Sequence, residues 1–202
     1  MKDKMERYDK VTWSFCALLA ITFIWDLIVR GGEKAGRIVL IYITIFAIKF
    51  IFTKTFMKKS KSTYNIALFF VFIAMYLGNV MNFYDIPHYD KYLHLISGVL
   101  LAFVGLILYS YLFGNKENKA IIPMAIVVFP LIFAIACAGV WEIWEFSTDQ
   151  LFGLMAQNNS LHDTMMDIIC GTVGGLFSCI LIYLYSKGKN IKFIKRMMEE
   201  IN

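Results

Sequence analysis

Apolar residues fall in six long blocks, roughly 11–29, 38–56, 64–83, 92–113, 121–146 and 163–185, separated by short polar stretches. At a rise of about 1.5 Å per residue, a helix over any one of these blocks is long enough to cross the roughly 30 Å hydrocarbon layer of a bilayer. The pattern predicts an all-α, polytopic membrane protein with six transmembrane helices in a single integral membrane domain over residues 1–202. The first block follows a basic start (Lys2, Lys4, Arg7, Lys10). Its length favours a retained span over a cleaved leader, as do Trp25 and Asp26 standing where small cleavage-site residues belong. Gly31, Gly32 and Gly36 mark the first turn, and 153–160 is a polar loop without Lys or Arg. The basic tail, 187–202, spaces Ile191, Ile194, Met198 and Ile201 for an amphipathic helix on the membrane surface.

Composition agrees with this reading: 59% of the 202 residues are hydrophobic and 17% charged, far from soluble averages. Cys16, Cys137, Cys170 and Cys179 lie within the apolar blocks with no CxxC, so they read as small buried hydrophobes rather than a disulfide frame. The net charge of +5 comes from lysines clustered between blocks, a distribution suited to anionic lipid and not to nucleic acid. The bilayer is therefore the predicted partner, and nothing in the pattern sets an oligomeric state. Lys/Arg asymmetry sets the expected orientation. With both termini inside, Lys54, Lys58, Lys59, Lys61, Lys116, Lys119 and the basic tail are cytoplasmic, leaving Arg30, Lys34, Arg37 and Lys91 outside. A multi-pass protein of the plasma (inner) membrane, N-in and C-in, is expected.

That orientation brings three polar motifs to the extracytoplasmic face. The first is 85–94, with Asp85, His88, Asp90, Lys91 and His94; the second is 141–149, with Glu142, Glu145 and Asp149; the third is 162–167, with His162, Asp163 and Asp167. Residues three or four apart share a helix face, so Asp90 pairs with His94, Glu142 with Glu145, and Asp163 with Asp167. Seven of the chain's fifteen acids and all three histidines gather here, with Lys91 as the one nearby base. So many carboxylates in partly desolvated space cannot all stay ionised without protons, a cationic ligand or a divalent metal ion. Carboxylate with imidazole suits Mg, Mn, Zn or Fe by ligand type. Asp90 and Asp163 also sit where helix caps are common, and Asp149 and His162 where loop residues are solvated. Glu142, Glu145, His94 and Asp167, about one turn inside apolar helices, resist such structural readings better. Ser97 and Ser160 lack a nucleophile-elbow motif.

Asp-Lys-x-x-His-x-x-x-Gly at 90–98, Glu-x-x-Glu-Phe at 142–146 and Asp-Thr-x-x-Asp-x-x-x-Gly at 163–171 resemble the YjdF-like family of bacterial inner-membrane proteins. Their order and spacing are also similar to VanZ-like membrane proteins, a family named from glycopeptide resistance. The resemblance covers about the last two-thirds of the chain and implies a fold and a site more than an activity. VanZ-like proteins carry Glu-x-x-Gln and an Arg ahead of the final Asp motif. Here Glu145 stands in the Gln position, and no Lys or Arg occurs between Ala120 and Ser186. Direct anion binding would rest on Lys91 alone or on a bridging metal.

Three functional readings follow. In the first, the site is a metal-assisted hydrolase or transferase acting on a lipid-linked or envelope substrate, with His94, Glu142, Glu145, Asp167 and Asp90 as metal ligands. Asp163 or His88 would then serve as base, and Lys91 would pair with substrate charge. In the second, the acids carry protons or cations in a small transporter for a small-molecule substrate. In the third, they fix helix packing in a non-catalytic membrane module.

Overall fold

The computed structural model describes residues 2–114, 124–153 and 155–201, with side chains from residue 10 onward. The turn expected at 114–119, Pro123 and the start of the fifth block therefore lie largely outside the described residues. Six helices are long and apolar enough to cross a membrane, and no strand occurs among the described residues. They are α1 (Lys2–Val29), α2 (Ala35–Lys54), α3 (Lys61–Val80), α4 (Tyr89–Phe113), α5 (Ala125–Phe152) and α6 (Leu161–Ser186); a short α7 (Lys192–Ile201) follows. The chain divides into two compact units, Met1–Pro87 and His88–Glu200.

In the first unit, α1, α2 and α3 pack around Leu19, Ile38, Ile41, Ile45, Tyr64 and Leu68. Several of the polar groups that these helices bury find partners on one another. The Thr22 hydroxyl meets the Tyr76 hydroxyl at 3.0 Å, and the Tyr42 hydroxyl donates to the Cys16 carbonyl at 2.7 Å. Gly31 and Gly32, at φ +64° and +87°, make the α1–α2 turn in a left-handed conformation that side chains disfavour. Arginines on either side of this turn serve the end of α3: Arg30 donates to the Val80 carbonyl and Arg37, in the first turn of α2, to the Asn79 carbonyl, at 3.1 and 2.8 Å. These carbonyls have no partner within the helix, and the guanidinium charge suits the negative end of its dipole. The last nine residues of α3, Phe72–Val80, are wound as π-helix.

In the second unit, α4, α5 and α6 pack on one another, and glycines set how closely. A Cβ added at Gly98 would run into the backbone carbonyl of Gly171, and one at Gly174 into that of Leu95, so α4 and α6 touch backbone to backbone. Close approach through small residues is how apolar helices associate where lipid removes the hydrophobic drive. On the other side of α6, Gly171 and Gly175 face Ala138 and Ala134 of α5. Helix α5 continues through Pro130 and runs to Phe152, one and a half turns beyond the apolar block, ending where Gly153 takes up φ +66°. In the tail, Ile194 and Met197 are buried within the protein, so at least this part of α7's apolar face is covered by protein.

Candidate functional site

The close α4–α6 packing places the N-terminal turns of these two helices side by side, and their i, i+4 pairs face each other. Lys91 is the hub. Its Nζ bonds Asp163 Oδ1 and both oxygens of Asp167, at 2.7 and 2.8 Å for Asp167, and lies 3.8 Å from Asp90 Oδ2. His94 Nε2 lies 3.7 Å from Asp90 Oδ1 and 3.8 Å from Asp167 Oδ1. Asp167 is 2% exposed and His94 7%, while Asp90 is half-buried. Asp90, His94 and Asp167 can each offer one ligand atom, all within 4.8 Å of one another. Bonds of about 2.0–2.2 Å to one ion would hold ligand atoms about 3–3.5 Å apart, so modest side-chain closure would suffice.

The rest of the site is built by α5 and the loop after it. Glu142 is 4% exposed; one carboxylate oxygen, Oε2, accepts from Gln157 Nε2 at 3.3 Å, and the other, Oε1, is buried with no hydrogen-bond partner among the described residues. It lies near enough to Asp167, His94 and Asp90 to interact with their charges. Glu145 interacts with the charges of Glu142, Asp90 and Asp167, yet its carboxylate is engaged on its own helix, accepting from Trp141 Nε1 at 2.7 Å. His88 sits just before α4 at φ +64°, exposed and without a capping bond from its side chain. Asp163 is held by Lys91 and by Asn158 Nδ2 at 2.9 Å, and the capping role at the start of α6 falls to Ser160, which accepts from the Asp163 amide. Ser97 spends its hydroxyl on the His94 carbonyl at 2.8 Å.

Two residues outside the motifs, Gln157 and Asn158, shape this arrangement together with Asp149 of the second motif. Asp149 accepts from the backbone amides of Ala156 and Gln157, at 2.7 and 2.9 Å, and so folds the loop back over the end of α5. That fold delivers Gln157 to Glu142 and Asn158 to Asp163. Loop amides carry no periodicity to reveal them; the available signal was a polar loop, free of Lys and Arg, joining two acidic helix ends.

Six membrane-length helices with a buried cluster of carboxylates and imidazole define the class: a multi-pass helical membrane protein whose polar groups gather at one end of α4 and α6. The chain belongs to the family described as "Predicted membrane protein (DUF2238)", the YjdF-like family, which it matches over residues 6–188. A relative from Thermotoga maritima, described as an uncharacterized protein, is 26% identical over 120 residues, covering 59% of this chain and 60% of that protein's length. No solved structure matches the chain.

Proposed function

We propose that the protein is a metal-dependent hydrolase or transferase of the inner membrane, N-in and C-in, acting on a lipid-linked or envelope substrate at the extracytoplasmic face. The convergence of Asp90, His94 and Asp167, two of them buried, is the observation that carries the reading. When ionised, Asp90, Asp163 and Asp167 bring three negative charges against the single charge of Lys91, and a divalent cation would balance the surplus. Uncompensated charge in so buried a place is costly. A bound ion would supply Lewis-acid polarisation and an activated water. Lys91, released from Asp167 as the ion takes that carboxylate, would turn to the negative charge of the substrate. Glu142, whose buried Oε1 accepts no hydrogen bond among the described residues, would take a proton in preference to the exposed His88, and Asp163 would hold Lys91 in position.

A second reading has support in the bonds of Lys91, which tie α4 to α6 with no metal and would suit a packing lock. Thermal unfolding of the detergent-purified protein separates the two. An ion present at 100 times its dissociation constant stabilises the folded state by about 2.7 kcal/mol. Chelator should therefore lower the Tm by about 5–10 °C. Manganese or zinc should restore it, and neither should act on His94→Ala or Asp167→Asn. A Tm indifferent to chelator and metal in the parent protein would leave the packing lock as the better account.

A further inference from the structure

A groove of about 630 Å³ runs between α5, α6 and the loop that joins them, and its polarity changes along its length. At the loop end it is lined by Asp149, Gln150, Asn159 and Thr164. Phe146 stands one turn deeper, followed by Ile143 with Ile168 of α6, and Gly139 marks the far end, about 16 Å along α5 from Gln150. A Cβ placed on Gly139 would meet nothing within 4 Å, so there is room at that depth. Ile143 and Phe146 are well exposed on a helix long enough to span a membrane, so the deep half lies open to acyl chains and the polar end lies at the membrane edge.

The polar end selects by hydrogen bonding rather than by charge. Both oxygens of Asp149 already accept from backbone amides, and Glu142 has Oε1 buried and Oε2 bonded to Gln157. No Lys or Arg occurs from residue 120 to 186, so an anionic headgroup would find no counter-charge along either helix. What stands free is neutral: the side chains of Gln150, Asn159 and Thr164 make no hydrogen bond among the described residues, and each can both donate and accept.

We infer that this groove binds a lipid with an uncharged sugar headgroup, the sugar held among Gln150, Asn159 and Thr164 and the chain descending past Ile143 and Ile168 towards Gly139. Sugar hydroxyls donate and accept, as the two amides and the threonine hydroxyl do. The exposed ring of Phe146, electron-rich on its face, suits the C–H bonds on the apolar side of a sugar. Head and chain then lie in the order of the bilayer itself, polar group at the edge and hydrocarbon within. Glu142 lines the groove and interacts with the charges of Asp167 and His94, so the bound lipid lies beside the candidate metal site. That it is the substrate there rests on the catalytic reading above; its binding does not.

The test is photocrosslinking of the full chain in phosphatidylcholine nanodiscs, with chelator present, using dodecyl glucoside that carries a diazirine at its chain end. Crosslinks, mapped by peptide mass spectrometry, should saturate and fall on α5 between Gly139 and Ile143 and on α6 around Ile168. Unlabelled dodecyl glucoside should compete, and dodecylamine and dodecyl sulfate should compete at least tenfold more weakly. Gln150→Ala with Asn159→Gly removes both amides, and glycine accepts the φ of +51° at 159; this pair should weaken binding about tenfold. Gly139→Phe, which fills the deep end where the backbone has space, should remove the crosslinks on α5 and α6 with thermal unfolding unchanged. Crosslinks spread over the lipid-facing helices without saturation, equal competition by the three headgroups, or unchanged labelling in both variants would overturn the proposal. Because chelator is present throughout, failure here leaves the metal site standing, and failure of the metal site leaves this binding measurable.

Discussion

At the residue scale, the site depends on one lysine. Lys91 is mostly buried and its ammonium is shared between Asp163 and Asp167, so replacing it leaves two carboxylates facing each other without a cation. Breaking a buried pair from one side costs about 3–5 kcal/mol. Lys91→Met should therefore lose about 3 kcal/mol in denaturant unfolding of the detergent-solubilised protein. Adding Asp167→Asn should recover at least about 1 kcal/mol of that, as expected for coupled neighbours; strictly additive losses would mean that the three groups do not act as a unit. Asp149 makes a second prediction at this scale. Its carboxylate is what holds the amides of Ala156 and Gln157, so Asp149→Ala should speed hydrogen exchange at those two amides and leave the amides within α6 protected.

At the scale of elements, the decisive contrast is between glycines. Gly98→Ala places a methyl against the backbone of Gly171, which cannot move aside as a flexible side chain would, so α4 and α6 must part. Overpacking of this kind costs about 1–3 kcal/mol, and the same separation would pull Lys91 from Asp167. Gly139→Ala meets open space and should stay within about 0.5 kcal/mol of the parent. Equal effects of the two substitutions on unfolding would contradict the close-packed α4–α6 seam. The six helices themselves were legible in the sequence, since block length and hydropathy are enough to reveal a span. So were the i, i+4 pairs Asp90–His94 and Asp163–Asp167, because a helix face follows from spacing alone. The end of α5 was less so: the fifth apolar block stops at 146 and Asp149 read as a solvated loop residue, whereas the helix continues to Phe152 and ends at the left-handed Gly153. Glu145 shares the spacing of Glu142 but not its surroundings, because Trp141 on the same helix takes its carboxylate. Gln157 and Asn158 were not legible, since a loop side chain acquires its partner only when the tertiary fold brings one to it.

At the scale of the whole molecule, the orientation that the Lys/Arg distribution predicts can be tested without a structure. In a cysteine-free background, cysteine introduced at Asn158 should react with an impermeant thiol reagent in intact cells, and cysteine at Asn118 only after lysis. The reverse pattern would move the polar site to the cytoplasmic face and remove any envelope substrate from reach. The central claim, that Asp90, His94 and Asp167 hold a divalent ion, is tested most directly by the metal content of the purified full-length protein measured by mass spectrometry. About one divalent ion per chain is expected after equilibration and removal of free metal. It should be lost in His94→Ala and in Asp167→Asn and retained in Glu145→Gln. A parent protein that retains no metal, or variants that retain it as fully as the parent, would contradict the account.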